Sequence, residues 1–89
     1  MYDKDQVRYQ PYEEGKSPKA YIWLVKNEVN IMSLTPFDGE LLAICEFSYS
    51  NKGKKGWRKV IVRGDNIWDL EDRAAMVVTD LRKELSKDN

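Results

Sequence analysis

The most regular hydrophobic pattern in the chain starts at Leu70. Advancing about 100° per residue from there places Leu70, Ala74, Val77, Val78, Leu81 and Leu85 inside an arc of about 100°, with charged residues filling the remainder. This spacing predicts a C-terminal amphipathic helix. Asp69, Glu71 and Asp72 fall in its first turn and Arg82, Lys83 and Lys87 in its last, the order that the helix dipole favours. Ahead of it, Gly64, Asp65 and Asn66 break the preceding element and offer capping side chains, while Ser86 to Asn89 is expected to fray.

Upstream the period is two. From Glu40 to Ser50, one strand face carries Leu41, Ala43, Cys45, Phe47 and Tyr49, and the other Leu42, Ile44, Glu46, Ser48 and Ser50. Asn51 to Gly56 then closes a hairpin. Trp57 to Arg63 returns as a strand, with Val60 and Val62 on one face and Trp57 and Ile61 on the other. Ala20 to Lys26, rich in aromatic and β-branched residues, reads as a further strand that turns through Lys26, Asn27 and Glu28 into Val29 to Leu34. Thr35 to Gly39 carries turn chemistry.

The predicted class is α+β: a small antiparallel sheet of about four strands in β-β-β-β-α order, with the C-terminal helix packed on one face. Residues 1–19 read as a polar, partly mobile N-terminal arm, with Val7 to Tyr9 along a sheet edge, and residues 20–89 as the single domain. Because Tyr21 to Val25 and Leu41 to Cys45 are apolar on both faces, the sheet face opposite the helix needs cover. The arm, the Pro36-Phe37 loop or a second subunit would supply it, and a homodimer is the simplest symmetric answer.

Composition narrows the chemistry. A chain of 89 residues buries about 60 to 65% of its unfolded surface, a modest core with little room for a large active-site cleft. The absence of histidine removes the commonest general base and transition-metal ligand, and Cys45 is the only cysteine, so zinc sites of the usual kind and disulfides within the chain are not expected. Cys45 reads as a small buried thiol in a cytoplasmic protein, and no apolar run is long enough for a signal or membrane span. Glu46 is the one candidate for a perturbed acid, with Lys59 or Arg58 on the neighbouring strand, and a cross-strand ion pair explains it more simply. Asp65, Asp69 and Asp72 follow a spacing that would hold a hard cation, yet acids at a helix start are stabilised by free N–H groups without one. The letters Arg63-Gly64-Asp65 are read as a strand-to-helix turn. The sequence therefore predicts a non-enzymatic protein without cofactor or metal.

Charge supplies the functional signal. The total is neutral, with 15 bases and 15 acids, but Phe47 to Gly64 holds six bases and no acid: Lys52, Lys54, Lys55, Arg58, Lys59 and Arg63. With Trp57 among them, this window offers cations for phosphates and an aromatic platform for a base, the mixture that sheets use to bind nucleic acid, and Tyr49 would add a second platform. The competing reading is a solvated hairpin whose lysines blunt edge pairing. The element order, together with Gly53-Lys54-Lys55-Gly56 followed by Trp57, Arg58, Lys59, Val60, Ile61 and Val62, resembles the positive cofactor four family of small dimeric single-strand-binding transcription factors, although that family's Gly-Lys-Gly-Ile turn is not reproduced in register. The resemblance implies a single-strand-binding sheet in a dimer.

Trp68 and Met76 fall outside the apolar arc of the helix and mark an alternative, protein-binding face, with Trp68 expected to precede the first helical turn and fold over the sheet end. The leading expectation is a small binding or regulatory module that engages nucleic acid through its basic hairpin. The alternative is an accessory or inhibitory protein that binds another protein, as small phage-type proteins do.

Overall fold

Two short turns shape the sheet. Asp38-Gly39 and Lys52-Gly53 each place two consecutive residues at positive φ, 52° and 79° in the first and 53° and 78° in the second. That is the backbone of a type I′ turn, whose twist matches the strands it joins. Residues 9–86 are described by the computed structural model, and their elements run α1 (Ala20–Lys26), β1 (Val29–Phe37), β2 (Glu40–Asn51), β3 (Lys54–Gly64) and α2 (Ile67–Ser86). The fold is α+β, with a three-stranded antiparallel sheet in the order β1-β2-β3. The expected arm segment Val7 to Tyr9 lies, except for Tyr9, outside the described residues, as does Lys87.

The expected strand Ala20 to Lys26 is corrected to a helix. Ala20, Trp23, Leu24 and Asn27 are buried while Tyr21 and Val25 are 52% and 78% exposed, which is a helical stripe and not an alternation. Five consecutive apolar residues fit either period, and here packing against α2 decides. Asn27 caps the end of α1, its side-chain amide donating to the Trp23 carbonyl at 2.9 Å, and Glu28, at φ 57°, turns the chain into β1. No hairpin forms at Lys26 to Glu28, and the element order on which the family resemblance rested is α-β-β-β-α instead.

β1 extends beyond its expected end. Its register with β2 shifts between Met32 and Thr35, where Ser33 has φ 53°, and it then continues through Pro36 to Phe37. A bulge and a proline are tolerated because β1 is an edge strand.

Alternation along the strands divides the sheet as the sequence pattern indicates. Val29, Ala43, Cys45, Phe47 and Val62 join Leu70, Ala74, Ala75 and Val78 of α2 and Ala20, Trp23 and Leu24 of α1 in one buried core. Gly64 permits the close approach of β3 to α2, since a Cβ there would lie 2.5 Å from the Leu70 backbone nitrogen. α2 starts earlier than its periodicity indicates. Asn66 caps it by accepting the Asp69 N–H at 2.9 Å, and Asp69 in return accepts the Asp65 N–H at 3.0 Å, a variant of the capping box. Trp68 therefore sits inside the helix, 73% exposed, and does not fold over the sheet end.

The buried stripe of α2 is also wider than the apolar arc, taking in Ala75, Thr79 and Arg82. α1 and the segment from Tyr9 to Tyr12 account for this. Gln10 donates its backbone N–H to Asn27 Oδ1 at 2.9 Å and accepts from the Trp23 indole at 3.1 Å. The Tyr12 backbone N–H donates to Thr79 Oγ1 at 3.0 Å, and its hydroxyl donates to Asp72 Oδ1 at 2.6 Å. This segment lies against the helices, reaching the sheet at Ser48, and Pro36 and Phe37 belong to β1 itself. Among the described residues the other sheet face is covered only at Ser48, which Tyr9 and Glu28 bury, and is otherwise left open.

Candidate nucleic-acid interface

The open face is built by the β2–β3 register. Ser50 pairs with Lys55, Ser48 with Trp57, Glu46 with Lys59, Ile44 with Ile61 and Leu42 with Arg63. Since successive side chains alternate, Lys55, Trp57, Lys59, Ile61 and Arg63 line one side of β3. Trp57 is 50% exposed there, and Lys55 Nζ stands 5.4 Å from its ring centroid. Lys59 and Arg63 are exposed on the same side. Lys52 forms the adjoining turn and Lys54 opens the strand. Arg58 projects to the opposite side, its guanidinium 5.9 Å from the centre of the Tyr49 ring. That ring lies over Gly56, where a Cβ would approach Tyr49 Cζ to 2.6 Å. Of the sequence-marked bases, the fold thus brings Lys55, Lys59 and Arg63 together with Trp57 and separates Arg58 and Tyr49 from them.

Acids temper part of this field. Lys55 Nζ lies 2.7 Å from Glu28 Oε1, which also accepts the Ser48 hydroxyl at 2.7 Å. The Lys55 and Ser48 bonds hold the Glu28 carboxyl below its ordinary range, and Glu28 in turn raises Lys55. Arg63 and Glu40 are 4.0 Å apart and both well exposed, a weak pair. Lys52, Lys54, Arg58 and Lys59 form no salt bridge with the described residues. The basic character is therefore strongest toward the hairpin tip. Farther along the same face, Met32, Ile44 and Ile61 make a continuous apolar row across the three strands, with Ile61 70% exposed.

The protein-binding candidates do not form one patch. Trp68 borders a cleft with Tyr21, Glu71 and Asp72, whereas Met76 borders another with Thr79 and Lys83, and the two clefts share only Tyr12. The Asp69 carboxylate accepts the Asp65 backbone N–H and pairs with Arg73, and no group of three His, Cys, Asp or Glu side chains among the described residues is placed to hold a metal ion. Cys45 is fully buried, and burial pushes its thiol up to about 11. No helix among the described residues is long and apolar enough to cross a membrane.

Sequence reasoning missed Arg82, which it placed in a solvated last turn. Arg82 is buried, donating from Nε to the Ser48 carbonyl at 2.9 Å and from Nη2 to the Asn27 carbonyl at 2.5 Å. Tyr9 stacks over the guanidinium with its ring centre 3.7 Å from Cζ, and the Tyr9 hydroxyl is 2.7 Å from Ser48 Oγ. Burial lowers the guanidinium to about 10, against the opposing pull of Tyr9 and Glu28. Nη1 is left without a partner among the described residues. Arg82 lies on the flank of the apolar arc beside Ala75 and Thr79, and no periodicity distinguishes it from a solvated base.

The arrangement offers stacking and cation contacts on the open face and, linked to them through Ser48 and Glu28, a buried polar clasp around Arg82. Comparison of the chain with known protein families, curated proteins and solved structures finds no match.

Proposed function

We propose that this chain is a small, non-enzymatic, cytoplasmic binding module that takes single-stranded nucleic acid on the open face of its sheet, at the β2–β3 hairpin. The observation that carries the reading is Trp57, half exposed on the same strand face as Lys55, Lys59 and Arg63. An unpaired base stacks on the indole, and the bases on either side of it along the strand meet the phosphates. Duplex DNA, whose bases are already stacked, gains only the phosphate contacts and binds more weakly. Titration of single-stranded and duplex oligonucleotides, followed by tryptophan fluorescence in a Trp68→Phe background where Trp57 is the exposed indole and the remaining Trp23 is buried, tests this. Absence of binding at low ionic strength sinks it. Reversing Lys54 and Lys55 together to glutamate weakens binding of every sequence about equally, because phosphate contacts carry no sequence information.

A second reading is favoured by the row of Met32, Ile44 and Ile61. An exposed apolar row on a sheet is also a surface for protein association, including a homodimer through this face. Sedimentation velocity across a range of protein concentrations separates the two, and a stable dimer whose formation is abolished by Ile61→Lys, with no oligonucleotide binding, supports the second.

A further inference from the structure

The two margins of the sheet differ in kind. β1 is blunted: its pairing is interrupted between Met32 and Thr35, Ser33 adopts a left-handed conformation, and Pro36 has no N–H to offer. β3 has none of these devices. It runs 11 residues without a proline, it stays in uninterrupted register with β2 from Lys54 opposite Asn51 to Gly64 opposite Leu41, and no described strand pairs with its other side. Such a margin presents a row of outward N–H and C=O groups able to take another strand.

Its charge selects the occupant. β3 carries Lys54, Lys55, Arg58, Lys59 and Arg63 and no acid. A second copy paired along this margin would bring two acid-free, base-rich strands against one another, and like charges facing across a ladder are destabilising. We infer that the free margin of β3 takes an extended acidic peptide segment by strand addition. The open-face positions of β3 alternate Trp57, Lys59, Ile61 and Arg63, apolar then basic. A complementary strand therefore carries, at every second residue, an apolar side chain beside Trp57 or Ile61 and an acidic one beside Lys59 or Arg63. Main-chain bonds supply affinity, and this alternation supplies choice. The inference concerns the margin of the sheet and does not rest on the nucleic-acid reading, although Lys59 and Arg63 are common to both and make the two ligands competitors.

The test is an NMR titration of the full ¹⁵N-labelled chain with the blocked peptide Glu-Thr-Leu-Thr-Glu-Thr-Leu. Parallel titrations use the same peptide N-methylated at alternate residues on the pairing side, a peptide of the same composition in scrambled order, and oligothymidylate. Strand addition predicts saturable binding, slowed hydrogen exchange at alternate amides of β3, and at least about tenfold weaker binding of both control peptides, since main-chain bonds or registered side-chain pairs are lost. Equal affinity for the N-methylated or scrambled peptide overturns the inference, because only bulk charge is then being read. So does binding of oligothymidylate without binding of the peptide, a result that leaves the nucleic-acid reading standing. Protection of β3 that grows with protein concentration in the absence of peptide also overturns it, in favour of a second copy.

Discussion

Replacing Arg82 with alanine unclasps a point at which the end of α1, the later part of β2 and the last turns of α2 share one buried side chain. Two carbonyls, of Asn27 and Ser48, lose their donors at 2.5 and 2.9 Å, and each buried acceptor left unpaired costs about 1–3 kcal/mol. Loss of the stacked Tyr9 contact at 3.7 Å adds about 1 kcal/mol. Opposing this, the substitution relieves a buried cation that has an unpartnered Nη1, a partial offset. The expected net loss is about 3 kcal/mol, a large fraction of what a domain this small possesses. Each kcal/mol lowers the melting temperature of a 60–100-residue domain by about 4–8 °C, so the midpoint falls by about 12–24 °C. Urea denaturation followed by circular dichroism measures the change, with the slope of the transition unchanged. Arg82→Met keeps the length of the side chain and removes the charge, so it loses the bonds but little packing. If Arg82→Met is as stable as the parent, the burial of the charge costs as much as its bonds return, and the clasp is not what holds these elements together.

Gly64→Ala drives a methyl group to 2.5 Å from the Leu70 nitrogen and 2.6 Å from its Cα, backbone atoms that cannot turn aside, and denaturation should show a loss of about 1–3 kcal/mol by overpacking. Tyr12 gives a pH signature. Its hydrogen bond to Asp72 raises the phenol from 10.0 to about 12, so it contributes stability that is complete below pH 10 and lost as the pH rises toward 12. Tyr12→Phe should be less stable than the parent at pH 8, and the gap should narrow between pH 10 and 12. A gap independent of pH would contradict the assigned bond.

The sequence exposed those elements in which one period had no competitor. β2 is apolar on both faces from Leu41 to Cys45, but its continuation from Cys45 to Ser50 alternates apolar with polar residues, so both of its faces were readable, and with them the placement of Trp57, Ile61, Val60 and Val62 on the paired strand. Ala20 to Lys26 was not readable in the same way, because a short run that is apolar up to Val25 fits a strand and a buried helix equally and only α2 and the Gln10 to Tyr12 segment decide between them. Pro36 suggested a turn, yet an edge strand with a bulge accommodates it. The candidate interface was half legible. Composition marked the bases and strand alternation set Lys59 and Arg63 with Trp57 apart from Arg58, whereas Lys55, read as a turn lysine, joins them because β3 begins at Lys54. Arg82 was hidden altogether, because a buried arginine is made by its surroundings, here two carbonyls and Tyr9 brought from distant parts of the chain.

The central claim is that Trp57 and the bases beside it act as one surface for single-stranded nucleic acid. Measuring the affinity of the Trp68→Phe protein for oligothymidylate across a series of salt concentrations, with and without Trp57→Ala, tests it most directly. Three open-face bases at about −0.7 each predict a slope of log affinity on log salt near −2. Loss of one stacked base costs about 1–3 kcal/mol, a weakening of roughly 5- to 150-fold on substituting Trp57, with the slope retained. No binding at low salt, or equal affinity with and without the indole, would contradict the account.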